Sequence, residues 1–328
     1  MNRSRRNATQ HLGAAMLAAG LYSPMQAALA QTWPTRPIRL IINFAPGATT
    51  DIIGRAIALP LSQALGQSVV VENHSGGGGM IGLGAVHKAA PDGYTLALLA
   101  GSTMAIGPHL HRLAFEPLRE MVPVAAVARV QLFLVARTGL PFDDFASFIR
   151  HMRANPGRLS YGSSGIGSSP HIAGVMLGAA TNTQAVHIPY RGSAAVLQDL
   201  LAGTIDWTFD PGVTLPHVRT GRLRMLAVAG SRRVQIFPDV PTLRELGLVD
   251  FDVGTTHGFW APPGTPVPIV ERFNREINRA LGLPAVTETI HGIFAEPTPL
   301  TPAQFLALSR VDSERYARVV RDHRITLD

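Results

Sequence analysis

Cysteine is absent from this chain of 328 residues, which excludes disulfide bonds, thiolate metal ligands and cysteine nucleophiles. Lysine occurs once, at Lys88, and the arginines are scattered, so a nucleic-acid-binding groove is not expected. Only 16% of the residues are charged and 46% are hydrophobic, a composition typical of a well-packed globular protein. Beyond the first 30 residues no stretch reaches 18 apolar residues, so we expect the mature chain to be soluble.

The first 30 residues have the three parts of a bacterial secretory signal. Three arginines within residues 3–6 form the basic start, residues 12–21 are a short apolar core, and residues 28–30 match an A-x-A cleavage site. We therefore predict export to the periplasm and cleavage near Gln31. Loss of the three arginines takes the formal charge from +7 to +4, and this mild positive charge weakly favours an anionic ligand.

The stretch at residues 159–174, LSYGSSGIGSSPHIAG, combines a short β-prone run, a loop of Gly, Ser and Ile, and a helix start at Pro170. Proline favours the first turn of a helix, and Ser169 before it is a suitable N-cap. Free backbone N–H groups and the positive end of the helix dipole then point at one spot, which makes an anion site. Such loops are also often only turns, so the motif by itself leaves both interpretations open.

A second unit of the same kind lies near the start of the mature chain. Residues 37–44 predict a buried strand, residues 45–51 (APGATTD) a small-residue loop, and the apolar pattern that follows a helix. Thr49 or Thr50 is expected to cap this helix, Pro60 to kink it, and the next glycine, at position 66, to end it. Two such anion sites on separate lobes would clamp one ligand between them.

The order of the elements predicts an α/β fold. Strands expected at residues 68–72 and 94–100 alternate with helices, which favours mainly parallel sheets. The apolar and β-branched stretch 122–135 predicts a crossover from a first lobe to a second, and residues 251–260 predict the return crossover.

Enzymatic alternatives have weak support. Gly77, Gly79 and Gly82 match a dinucleotide-binding G-x-G-x-x-G pattern, but the strand that follows ends without the acidic residue that would hold the ribose. The hydrolase patterns G-x-S-x-G, S-x-x-K and H-E-x-x-H do not occur. His109 and His111 form a close pair with no acid beside them, which favours a surface turn over a metal site.

Three polar residues near the predicted loops have two interpretations each. His171, in the first turn of its helix, is either structural or a ligand contact, and the helix dipole there favours its neutral form. Arg191 is either a cleft residue or a surface charge, and Asp210 either caps a strand end or binds a ligand. The spacing neither requires nor excludes a Ser–His–Asp set formed by Ser168, His171 and Asp210.

Nine segments are spaced in order along most of the mature chain: WPTRPIRLII, PGATTDIIGR, LGQSVVVENHSGGGGMIG, PDGYTL, PGRLSYGSSGIGSSPHIAG, HIPYRG, DLLAGTID, FPDVPTLREL and APPGTP. In these segments the chain resembles the substrate-binding proteins of tripartite tricarboxylate transporters, the Bug receptors. The resemblance implies a two-lobed periplasmic-binding-protein fold of type II, joined by two crossover strands. We therefore expect lobe 1 to comprise residues 31–130 and 253–328, and lobe 2 to comprise residues 131–252.

The resemblance further implies a periplasmic receptor that captures a small organic carboxylate and delivers it to the membrane permease subunits of a tripartite transporter, or else to a sensor protein. We expect a monomer that binds no nucleic acid, metal or cofactor and has no catalytic residues; a periplasmic hydrolase is the least favoured alternative. The resemblance places the first two loops at the ligand, and the last three residues follow from their positions: Pro46, Gly47, Ala48, Thr49, Thr50, Ser163, Ser164, Gly165, Gly167, Ser168, Ser169, His171, Arg191 and Asp210.

Several segments depart from the family pattern. Residues 45–48 are APGA where the family has PPGG, and residues 73–79 are NHSGGGG where it has NRPGAGG. Val175 replaces a glutamate, and Arg191 replaces a lysine. Residues 256–258 are THG where the family has Trp-Tyr-Gly, which removes a large aromatic side chain. The expected carboxylate clamp is thus retained, whereas the distal part of the pocket differs.

Overall fold

The computed structural model describes residues 33–230, 232–249 and 251–326. The secretory signal predicted for residues 1–30 lies outside these residues. The described chain forms two mixed α/β sheets, one at the centre of each of two lobes. In this part of the chain no helix is both long enough and apolar enough to cross a membrane.

The described residues form eleven strands, which are β1 (Ile38–Ile42), β2 (Val69–Asn73), β3 (Thr95–Leu99), β4 (Val122–Val130), β5 (Leu132–Arg137), β6 (Ser160–Ser163), β7 (Val186–Pro189), β8 (Trp207–Asp210), β9 (Leu223–Ala229), β10 (Thr255–Ala261) and β11 (Glu296–Pro297). The first sheet has the order β11-β4-β10-β3-β1-β2. The second has the order β7-β6-β8-β5-β9.

The helices are α1 (Thr49–Leu65), α2 (Met80–His87), α3 (Gly101–Ala105), α4 (Gly107–Leu110), α5 (Pro117–Glu120), α6 (Phe145–Ala154), α7 (Ser169–Thr181), α8 (Ser193–Ala202), α9 (Leu215–Arg219), α10 (Val267–Leu281), α11 (Pro284–Gly292) and α12 (Pro302–Asp322). Gly66 ends α1 with a left-handed φ of 67°, as predicted. The helix is continuous through Pro60, the position at which a kink was expected.

Both sheets are mixed, so the prediction of mainly parallel sheets is wrong. Strand β1 is parallel to β2 and β3, and β6 is parallel to β7 and β8. Strand β10 is antiparallel to β3 and β4, and β5 is antiparallel to β8 and β9. The antiparallel pairs involve the strands at the crossover between the lobes. Only Gln131 separates β4 from β5, and these two strands enter different sheets. Consecutive strands pair in parallel only when a long connection, usually a helix, returns the chain to the same end of the same sheet.

Each sheet has an apolar core of its own. In the first lobe Leu40 of β1 packs in one buried cluster with Ile57 of α1 and Phe273 of α10. The last helix, α12, places Tyr316 in the core cluster of the second sheet, whereas Phe305 near its start packs beside the first sheet. Helix α12 therefore contacts both lobes, and the lobe boundaries drawn from the sequence stay a prediction.

Replacing Leu40 by alanine should lower the free energy of unfolding by about 2–5 kcal/mol, because the side chain is fully buried in a strand that has neighbours on both sides. Leu59, on the outer face of α1, is 66% exposed, and Leu59→Ala should change it by less than about 0.5 kcal/mol. Urea unfolding followed by tryptophan fluorescence measures both. Equal losses in the two variants would contradict this assignment of the core.

Candidate functional site

A cavity of about 40 Å³ lies between the two lobes, where α1 and α3 of the first lobe face α7 and α8 of the second. The described residues that line it include hydroxyl groups, apolar groups and one histidine, but no acidic side chain, lysine or arginine. The lining consists of Phe44, Ala48, Thr49, Thr50, Ala100, Ser102, Val130, Leu132, Ser164, Ser168, Ser169, Pro170, Ser193, Pro211, Thr255 and His257.

Helix α1 starts at this cavity, and the amides and threonine hydroxyls of its first turn form no described hydrogen bond. Its N-cap is Ala48, so the predicted capping by Thr49 or Thr50 is wrong, because both threonines lie inside the first turn. They are only 3% and 2% exposed, and their hydroxyls have no hydrogen-bond partner among the described residues. The first amides of a helix lack intrahelical acceptors. Those of Thr49, Thr50 and Asp51 take part in no described hydrogen bond.

The carboxylate of Asp51 in the same turn is neutralised by other partners. It accepts the Gly47 amide at 2.9 Å, Asn73 Nδ2 at 2.8 Å and Arg55 Nε at 3.0 Å. Burial by itself would raise the pKa of Asp51, but the hydrogen bonds from Arg55, Asn73 and Gly47 outweigh it and hold the pKa below its usual value. The charge of Asp51 is therefore compensated by Arg55, and the amides of the first turn remain available to an anion.

Helix α7 begins opposite, in the second lobe. Its N-cap is Ser168, one residue before the predicted Ser169. The Ser168 hydroxyl does not cap the helix and donates instead to the carbonyl of Gly165 at 2.6 Å. Pro170 has no N–H, so the first turn offers the amides of Ser169 and His171, neither of which has an acceptor in the described hydrogen bonds.

Two stacked imidazoles brace the loop that precedes α7. The His171 and His187 rings lie 4.3 Å apart between centroids. His187 Nε2 is 2.6 Å from the Ser163 hydroxyl, and His171 Nδ1 accepts the Gly167 amide at 3.2 Å. Burial lowers the pKa of each histidine to about 4, so both are neutral at pH 7. The neutral form expected for His171 agrees with this geometry.

Six of the residues predicted at the ligand line the cavity: Ala48, Thr49, Thr50, Ser164, Ser168 and Ser169. Gly165 and Arg191 line a second, wider cavity of about 800 Å³. Pro46 and Gly47 are exposed in the loop before α1. Ser163 at the end of β6, Gly167 in the loop before α7 and His171 in the first turn of α7 are all buried.

The Asp210 carboxylate accepts its hydrogen bonds from residues of its own loop. Its Oδ2 accepts the Gly212 amide at 2.6 Å, and the amide and hydroxyl of Thr214, each at 2.9 Å. Burial raises the pKa of Asp210 to about 6 in spite of these bonds. No described hydrogen bond joins Ser168, His171 and Asp210, so they do not form a Ser–His–Asp triad.

Glycine contacts bring the two lobes together around the cavity. A Cβ atom on Gly78 would lie 2.4 Å from the carbonyl oxygen of Ile166 in the other lobe, and one on Gly47 would lie 3.5 Å from Cβ of Ala194. Gly78 also has a left-handed φ of 63°. The glycine-rich segment that matches a dinucleotide pattern thus has a different role, because it allows close approach between the lobes.

Reasoning from the sequence missed four polar residues of the lining, which are Ser102, Ser193, Thr255 and His257. Ser193 is the first residue of α8, two positions after Arg191, for which the sequence left a cleft position open. His257 Nδ1 accepts the amide of Gly101, 156 positions away in the chain, at 3.2 Å. Only the departure from the family pattern at residues 256–258 pointed to this position. No group of three metal-ligating side chains occurs among the residues that the structure describes.

A cavity between two α/β lobes that is faced by free helix-start amides is the arrangement of a two-lobed solute-binding protein. The model of the tripartite tricarboxylate transporter family receptor matches residues 53–325. The chain belongs to this receptor family, which confirms the resemblance inferred from the sequence. It is also 37% identical to Protein BugT of Bordetella pertussis over 315 residues, covering 95% of each chain.

Solved structures agree with this membership. The periplasmic binding protein BugD has a TM-score of 0.85 at 31% identity, over 90% of this chain and 99% of its own. MatC from Rhodopseudomonas palustris with bound malate has a TM-score of 0.84 at 31% identity, over 88% and 100%. Rpa4515 of R. palustris with adipate has a TM-score of 0.85 at 32% identity, over 90% and 99%. These matches confirm the two-lobed periplasmic-binding-protein fold.

Substituting Gly78 by alanine should keep the lobes apart, because the new Cβ would overlap the Ile166 carbonyl. Small-angle X-ray scattering should show a larger radius of gyration. Gly77→Ala is the matched control, since Gly77 has a similar φ of 57° but its Cβ would come no closer than 3.6 Å to any neighbour. An unchanged radius in Gly78→Ala, or the same increase in both variants, would contradict the role of this contact.

The melting temperature should fall as the pH is lowered from 6.5 towards 4. The folded-state pKa of His171, His187 and His257 is about 4, below the unfolded value near 6.5, so the unfolded chain takes up protons first. The loss is on the order of 2 kcal/mol per imidazole. Asp210, with its pKa raised to about 6, acts in the opposite direction but is a single group. Calorimetry at pH 7.5 and 4.5 measures the shift, and a constant or higher melting temperature at pH 4.5 would contradict the burial of these rings.

Proposed function

We propose that this protein captures a small organic carboxylate in the cavity between its lobes and delivers it to the membrane permease of a tripartite tricarboxylate transporter. One observation carries the proposal: unpaired amides and hydroxyls at the starts of α1 and α7 converge on a cavity whose described lining has no cationic side chain. Such donors suit a carboxylate, which is stabilised by helix-start amides without a counter-charge.

The energy available from this arrangement is adequate for a transport receptor. Each hydrogen bond from a neutral donor to a carboxylate contributes about 1.5–3 kcal/mol. A few of them, less the cost of ordering the ligand and closing the lobes, are compatible with micromolar binding, which corresponds to about −8 kcal/mol. Two related structures were solved with malate and with adipate, which supports a carboxylate as the ligand class.

Within this proposal the predicted site residues have three roles. Thr49, Thr50 and Ser169 offer donors to the carboxylate. Ser168 and the buried group of Ser163, Gly167 and His171 hold the loop before α7 in shape. Gly47 and Gly165 allow the lobes to approach, and the crossovers at residues 130–131 and 252–253 act as the hinge between lobe 1 and lobe 2.

Delivery to a permease is tested in the living cell. Deleting the gene should abolish uptake of one radiolabelled carboxylate, and the full-length chain supplied on a plasmid should restore it. Normal uptake together with a lost transcriptional response to the same acid would contradict delivery and favour a sensor protein as the partner.

The double variant Thr49→Ala and Ser168→Ala should bind its carboxylate at least about tenfold more weakly. It loses the Thr49 hydroxyl as a donor and the Ser168 hydroxyl bond that holds the loop before α7. Isothermal titration of the wild type and the variant with L-malate and adipate measures the difference. Thr204→Ala, which changes an exposed threonine of the second lobe, is the control. Equal affinity of the double variant and the wild type would count against the clamp.

A further inference from the structure

The one imidazole in the cavity wall has a fixed orientation. His257 lies on β10, where this strand pairs with β3 and β4, and it is only 6% exposed. Its Nδ1 accepts the amide of Gly101 at 3.2 Å. Gly101 is the first residue of α3, so the histidine is held by a helix-start amide of its own lobe.

This hydrogen bond determines which ring nitrogen carries the proton. A backbone amide can only donate, so Nδ1 must present its lone pair. Burial lowers the pKa of His257 to about 4, and the ring is neutral at pH 7. A neutral imidazole with a free Nδ1 lone pair has its proton on Nε2, which is therefore a hydrogen-bond donor.

No acceptor for this Nε2–H occurs among the described hydrogen bonds, although the ring lines the cavity. The cavity lining includes the apolar side chains of Phe44, Val130 and Leu132. The hydroxyls of Ser102 in α3 and Thr255 in β10 are further polar groups of this lining. The ring is part of the cavity wall, so a ligand oxygen in the cavity can supply the acceptor that Nε2–H lacks within the protein.

Charged groups do not compete for this position. Arg129, on the neighbouring strand β4, donates to the Thr256 hydroxyl at 3.4 Å and to Asp312 at 3.2 Å. Successive side chains of a strand point to opposite faces, so Thr256 and Arg129 lie on the face away from His257. The donor at His257 is thus neutral and directional, unlike a mobile cation.

We propose that the cavity selects a compact carboxylate that carries a second oxygen atom, a hydroxyl or keto oxygen close to the acid group, and that His257 Nε2–H is the donor that recognises it. The inference rests on the proposed carboxylate-binding function and adds the class of acid. The cavity volume of about 40 Å³ has room for roughly three to four waters, which favours a short acid over a long one.

The test compares acids that differ by one hydroxyl. L-Lactate is titrated against propionate, and glycolate against acetate, by isothermal calorimetry at pH 7.5, with adipate as a long acid. The wild type should bind the hydroxy acid about tenfold more tightly than its partner, because the unsubstituted acid leaves Nε2–H without an acceptor.

Two substitutions of His257 separate its two nitrogens. In His257→Asn the side-chain oxygen takes the place of Nδ1 and still accepts the Gly101 amide, but the Nε2 donor is lost, so the ratio between the two acids should fall to about one. His257→Gln places an amide near Nε2 and should retain a preference for the hydroxy acid. Thr49→Val, at the carboxylate end, should weaken both acids alike and leave their ratio unchanged.

The outcomes distinguish this inference from the proposed function. An unchanged ratio in His257→Asn, a wild-type ratio near one, or binding of adipate without binding of lactate would overturn the inference and leave a carboxylate receptor standing. Failure of every carboxylate to bind would contradict the proposed function itself.

Discussion

The structure depends on one constraint, which is that a helix cannot satisfy its own first amides. Helices α1 and α7 begin at the same cavity from opposite lobes, and neither start is capped by a side chain there. The amides of Thr49, Thr50 and Ser169 therefore need an acceptor from elsewhere. Since no arginine or lysine is among the described residues of the lining, the positive potential there comes from the backbone, which cannot be titrated. The proposed carboxylate would supply the acceptor that both helix starts lack, and it would reach both of them only when the lobes are close together.

Small residues make that closeness possible. Gly78 meets the Ile166 carbonyl, and Gly47 meets Ala194, so backbone approaches backbone across the cleft. Charges nearby are compensated within their own lobe, as Asp51 is by Arg55 and Asn73. Among the described residues, the lining of the cavity between the helix starts therefore carries no charged side chain.

Local features of the site could be predicted from the sequence, because they depend on neighbours in the chain. The two strand–loop–helix units and the end of α1 at Gly66 follow from glycine, proline and serine chemistry. The role of His257 could not be predicted from spacing, since its partner Gly101 is brought to it by the pairing of β10 with β3. The mixed sheets were missed for the same reason: local order does not show that β4 and β5 enter different sheets. The N-cap of α7 was misplaced by one residue because Pro170 is the second residue of the helix and not the first.

Backbone amides cannot be removed by substitution, so their involvement is best measured directly. The backbone amide proton shifts of the full mature chain should be followed by NMR during titration with the carboxylate that binds most tightly. The amides of Thr49, Thr50 and Ser169 should move downfield together at one saturating ligand equivalent, as expected for new hydrogen bonds to a charged acceptor. Large shifts confined to other parts of the chain, with these three amides unmoved, would contradict the claim that two helix starts share one carboxylate.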